Sequence, residues 1–131
     1  MRVLLAEDNE INVKITARYL RQWGVSYDVA RNGQEALDKA RANSYDIVLM
    51  DLLMPEKDGY EATTDIRALA DSRFSEVPII ALSASLFDDV KERIRTTGMN
   101  GYLDKPFKPQ DLYGTLYRYY RRHHPSANNY N

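Results

Sequence analysis

Cysteine is absent from the chain. That excludes disulfides, thiolate-held metal and thiol nucleophiles, and it fits a reducing compartment. No apolar run approaches the roughly 20 residues that a membrane span requires, and the opening residues show no signal-peptide pattern. An excess of one charge is missing too: 18 Lys and Arg against 19 Asp and Glu leave a net charge of −1. Such a balance gives no reason to expect a nucleic-acid or membrane partner. No linker, strict repeat or low-complexity segment interrupts the sequence, apart from a polar tail. The 131 residues therefore read as one folded unit over 1–122, followed by a tail over 123–131 that is disordered or begins a linker. At this length a domain buries a real core without metal or disulfide staples. The expected location is the cytoplasm, alone or as the cytoplasmic part of a membrane-bound kinase.

What the chain does contain is alternation. Short apolar runs at Val3 to Ala6, Val25 to Ala30, Ile47 to Met50, Val77 to Leu82 and Tyr102 to Leu103 are separated by stretches of helical spacing. Three runs are continuously apolar, as strands covered on both faces should be. The second alternates instead, with Val25, Tyr27 and Val29 opposite Ser26 and Asp28, which marks an edge strand; the short last run is the other edge. Asn12, Ile15, Thr16, Tyr19, Leu20 and Trp23 form the stripe of a first helix, with Gly24 as its stop. Ala36, Leu37 and Ala40 mark a second helix beginning near Gly33, and Ala62, Ile66 and Leu69 a third. Val90 and Ile94 mark a fourth ending at Gly98, and Leu112, Leu116 and Tyr119 a fifth after Pro109. Five strand–helix units in series predict an α/β fold, with parallel strands, right-handed crossovers and helices on both faces.

Ligands of such sheets bind beyond the carboxyl ends of the strands. The residues that follow the apolar runs are Glu7 and Asp8, then Asp51, then Ser83 and Ser85, then Lys105 and Pro106. Converging carboxylates repel unless a cation compensates, and a hard divalent ion with oxygen ligands does so. Lys105 adds a point charge suited to a phosphate oxygen, Ser83 a hydroxyl, and the small Ala84 leaves space. These parts suit phosphoryl transfer to a carboxylate, which at neutral pH is already ionised and needs no general base.

The blocks LLAEDNEIN, DIVLMDLLMPEKDGYEA, PIIALSAS and GMNGYLDKPF resemble the receiver domains of response regulators, from Val3 to about Leu116. The acidic pair followed by Asn9 and Asn12 is most similar to receivers of hybrid histidine kinases. The resemblance implies a flavodoxin-like, doubly wound (βα)5 sandwich of strand order 2-1-3-4-5. It implies Asp51 as the phosphorylated residue and Mg2+ or Mn2+ as the cofactor. The ion would be held by Asp8, Asp51 and the Leu53 carbonyl, with Glu7 assisting through water. Lys105 would contact the phosphoryl group, with a cis bond to Pro106, and Ser83 and Tyr102 would be the switch. The phosphodonor would be a histidine kinase or a histidine-phosphotransfer protein, and the parent a hybrid kinase or a stand-alone regulator. Ser83 replaces the more frequent Thr, and Leu53 puts an apolar side chain where some relatives have a polar one. Such a domain catalyses its own phosphorylation and dephosphorylation rather than turning over as a conventional enzyme.

Each residue alone has a plainer reading. Asp8 or Asp51 can be helix caps, Lys105 a solvated charge, Ser83 a hydroxyl bonded to backbone, and Tyr102 a packed edge residue. Caps, however, have no reason to converge with a lysine on one sheet end. Two competing functions are a degenerate receiver that binds protein without phosphorylation, and a nucleotide-binding enzyme on a similar sheet. The intact set Glu7, Asp8, Asp51, Ser83 and Lys105 argues against the first. The glycine-free, doubly acidic turn Glu7 to Asn12 argues against the second. Core packing accounts for about half of Tyr113, Tyr117, Tyr119 and Tyr120, the rest suiting a partner face. Arg118, Arg121 and Arg122 complement the end of the last helix. Ile11 divides evenly between docking and plain exposure, and the pair His123 and His124 is incidental.

Overall fold

The computed structural model describes residues 1–123. Its five strands are β1 (Arg2–Ala6), β2 (Ser26–Ala30), β3 (Ile47–Asp51), β4 (Ile79–Ser83) and β5 (Gly101–Asp104), all parallel, in the order β2-β1-β3-β4-β5. The expected order and both expected edges are therefore observed. β3 is buried along its whole length, because helices cover both of its faces.

Six helices lie among the described residues: α1 (Glu10–Gln22), α2 (Gly33–Ala42), α3 (Gly59–Arg67), α4 (Ser72–Glu76), α5 (Asp88–Thr97) and α6 (Pro109–His123). Strand alternation divides the core between them. Val3, Leu5, Ile47, Leu49, Ile80 and Leu82 point to α1 and α6, which contribute Val13, Leu20, Leu112 and Leu116. Leu4, Ala6, Val48, Met50, Ile79 and Ala81 point the other way, to Leu37, Ile66 and Ile94 of α2, α3 and α5. Each such Leu or Ile contributes about 1.5–3 kcal/mol by leaving water.

Three expectations need correction. The five-residue α4 was not expected; it is too short to show a helical stripe, and Phe74 is its buried anchor. The stripe of α1 is rotated: Val13, Thr16, Ala17 and Leu20 are its buried residues, while Ile15 is 47% exposed. Tyr19 and Trp23 were assigned to the core, but their rings serve a lateral contact. They stack at 5.8 Å, and Trp23 meets Tyr113 of α6 edge-on at 5.1 Å. Last, the tail expected from His123 starts later, since α6 runs through that residue; His124 and the remainder lie outside the described residues. Arg121 and Arg122 lie over the rings of Tyr117 and Tyr119, at 5.9 and 5.0 Å.

Helix starts and stops follow local chemistry. Asn9, not Asp8, caps α1, its side chain accepting from the Asn12 N–H. Asp58 and Glu61 form a capping box at α3. Gly24 and Gly98 end α1 and α5 with φ of 71° and 107°, a region closed to most side chains.

Candidate phosphoacceptor and metal site

The sheet ladder continues one residue past three strand ends and so positions the first residue of each loop. Glu7 N–H donates to Ala30 at 2.9 Å, Leu52 N–H to Leu82 at 3.3 Å, and Lys105 N–H to Ser83 at 2.8 Å. Asp51 is the last residue of β3, the central strand. Its backbone carbonyl is covered by Gly59, the first residue of α3, so closely that a Cβ there would overlap it. The Lys105–Pro106 peptide is cis.

Lys105 reaches back from the end of β5. Its Nζ donates to Glu7 Oε1 at 2.7 Å and stands 3.0 Å from Asp51 Oδ2. The other oxygen, Asp51 Oδ1, accepts from the Leu53 N–H at 3.3 Å. Glu7, Asp8 and Asp51 each offer an oxygen to one locus, all within 4.8 Å of one another. Glu7 is buried, and its Oε2 has no hydrogen-bond partner.

The electrostatics follow from burial. Burial raises the Glu7 carboxyl to about 7, helped by the neighbouring Asp51, while Lys105 pulls the other way. For Lys105, burial would lower the ammonium, but the hydrogen bonds and charges of Glu7 and Asp51 outweigh it and leave the pKa raised. A buried orphan carboxylate oxygen beside two further carboxylates is a donor set for a hard cation. The cluster fits a magnesium-like ion.

Not every expected residue joins this cluster. The Ser83 hydroxyl donates to the Ser85 carbonyl at 2.8 Å and accepts the Ser85 N–H at 3.1 Å. That is the plainer of the two readings of Ser83. Tyr102 is 44% exposed, with the Lys91 ammonium 5.3 Å from its ring centre. Leu53 and Ile11 are exposed beside the site. A groove of about 360 Å3 opens from Glu7 and Lys105 along Ala84, Pro106 and Phe107 to Asn12, Ile15 and Thr16 of α1.

The family model of the response regulator receiver domain matches residues 3–117. The chain belongs to this family. The receiver is 42% identical over 120 residues to hybrid signal transduction histidine kinase B of Dictyostelium discoideum, matching 85% of this chain and 6% of that one. It is 40% identical over 114 residues to a peroxide stress-activated histidine kinase of Schizosaccharomyces pombe, covering 84% of this chain and 7% of the kinase. It thus spans a small part of each of these relatives. Among solved structures, the receiver domain of a sensor histidine kinase from Pseudomonas aeruginosa superposes with a TM-score of 0.84 at 39% identity, covering 91% of this chain and 96% of that one. That structure has a magnesium ion coordinated in its active-site cleft. This receiver is a domain of two-component or phosphorelay signalling, and among its described residues no helix is long and apolar enough to cross a membrane.

Gly59 was missed in the sequence. Its only local signal, the Asp58-Gly59 pair, reads as a turn rather than as the backbone contact that holds Asp51.

Proposed function

We propose that Asp51 accepts a phosphoryl group from a phosphohistidine of a histidine kinase or a histidine-phosphotransfer protein. The observation that carries this reading is the Lys105 ammonium bridging Glu7 and Asp51 at the end of the central strand. An Asp51 oxygen attacks phosphorus; the P–N bond breaks, and its electron pair stays on the donor imidazole. Lys105 Nζ exchanges Glu7 for a phosphoryl oxygen. Asp8, Asp51 and the Leu53 carbonyl would hold Mg2+ or Mn2+, with Glu7 acting through water. When bound, the ion would offset the negative charge of the carboxylates and the phosphoryl oxygens.

Ser83 then leaves the Ser85 carbonyl for a phosphoryl oxygen, and Tyr102 turns inward, away from Lys91. The face of α5, β5 and α6 is reshaped as a population shift biased by one new charged group. The similarity to hybrid kinases favours a receiver belonging to such a kinase, acting in the cytoplasm; a stand-alone regulator would use the same site.

The test is incubation with acetyl phosphate, or with beryllofluoride, in the presence of magnesium. Intact mass should rise by one phosphoryl group, and Asp51→Asn should show no adduct. A wild-type chain that gains no mass, or an Asp51→Asn chain that gains as much, would overturn the reading.

A further inference from the structure

Gly114 stands in the middle of α6, and nothing in the chain's own fold requires it there. A Cβ at this position meets no atom within 4 Å, and Gly114 is not among the residues with positive φ. A mid-helix glycine weakens a helix by about 1 kcal/mol relative to alanine. The helix is therefore less stable than folding alone would make it.

Leu112, Leu116 and Tyr119 are the buried positions of α6. Opposite them, the helical period places Gln110, Gly114, Tyr117 and Arg121 on a single outward stripe. Gln110, Gly114 and Arg121 are exposed and Tyr117 is half-buried. The Tyr117 ring is braced from one side: it lies 4.5 Å from the Tyr113 ring, which in turn packs against Trp23. The outward stripe thus carries a supported aromatic ridge next to a bare backbone notch. The charges beside the stripe are ordered as well. Asp111 lies in the first turn, and Arg118 and Arg122 lie on the same flank near the end. A helix with its acid at one end and its cations at the other complements a reversed copy of itself.

We propose that the outward face of α6, centred on Gly114, takes a second copy of this chain packed antiparallel across a two-fold axis. Tyr117 of each copy sits over Gly114 of the other. On that axis Asp111 of each copy lies level with Arg118 and Arg122 of the other. A parallel pairing would oppose acid with acid and arginine with arginine, so the charges select the antiparallel arrangement. The contact of two 15-residue helices is small, below roughly 1,200 Å2, so the dissociation constant should be on the order of 0.1 mM. The stripe faces away from the sheet, which leaves Asp51 and its groove open in the pair.

The test is analytical ultracentrifugation from about 10 µM to 1 mM, a range set to bracket the expected constant, without divalent cation or phosphodonor, so that it is independent of the phosphoryl chemistry. Wild type should show a monomer–dimer equilibrium. Gly114→Gln fills the notch and should weaken association at least about tenfold, while raising the melting temperature by several degrees through better helix propensity. Asp111→Arg alone, and Arg118→Glu with Arg122→Glu, should each weaken self-association, and an equimolar mixture of the two should pair again. A wild type that stays monomeric, or a Gly114→Gln chain that dimerises as well as wild type, overturns the proposal. A Gly114→Gln chain that melts lower shows that the fold itself needs the glycine, which overturns the proposal equally. A mixture that fails to pair overturns the antiparallel arrangement.

Discussion

Glu7 and Arg67 are both buried polar side chains, with opposite fates. Glu7 is left with one unpartnered oxygen, and its carboxyl is raised from 4.5 to about 7, by burial first and the Asp51 carboxyl second. The folded, ion-free domain thus keeps a proton that the unfolded chain has released. This favours the fold fully below pH 4.5, and the contribution is lost as the pH rises through about 7. The effect is at most about 3 kcal/mol. Urea denaturation without divalent ions should show wild type losing stability from pH 5 to 8 relative to Glu7→Gln; parallel curves would refute the assignment. Arg67 is fully partnered by contrast. Its guanidinium donates to the carbonyls of Gly98, Phe74 and Val77 and to Asn100 Oδ1, at 2.7 to 3.0 Å. Burial lowers its pKa, since every one of these acceptors is neutral. Arg67→Ala strands several acceptors and should cost about 3–5 kcal/mol in urea denaturation. Arg67→Lys should restore less than half of that, because an ammonium cannot span the same fork. Full restoration would show that charge, not geometry, matters.

The elements are held at their ends by backbone contacts. Gly59 N–H donates to Leu52 at 3.1 Å, and Gly33 N–H donates to Lys57 at 2.8 Å. Both glycines lie against backbone that a Cβ would overlap. Gly59→Ala should therefore push the start of α3 away from Asp51, lowering stability by about 2 kcal/mol or more and slowing phosphorylation by acetyl phosphate. An alanine variant with wild-type melting and rate would show that the loop gives way freely. These contacts mark the boundary of what the sequence reveals. Glu7, Asp8, Asp51, Ser83 and Lys105 were legible because each breaks an apolar run at the same end of a sheet. Gly33 and Gly59 were not, because a close approach between distant segments leaves no periodic trace. Arg67 in the last turn of α3 reads as an ordinary partner of the helix dipole, and its four acceptors come from segments a helical wheel cannot see. The phase of α1 was misread because Ile15, Tyr19 and Trp23 are apolar enough to imitate a core stripe while serving its flank.

At the scale of the molecule, the strand order has a consequence for how the chain comes together. The first strand made, β1, ends near the middle of the sheet, between β2 and β3. Each later strand then joins an edge that already exists: β2 on one side, β3 on the other, and β4 and β5 outward in turn. No strand has to be inserted between two that are already paired. A chain leaving the ribosome from its N-terminus can therefore build the sheet by addition alone. Asp51, at the end of the third strand, has both neighbouring strands only after β4 has been added, and Lys105 arrives later still. The acceptor chemistry is thus assembled last, when little of the sheet remains to be made.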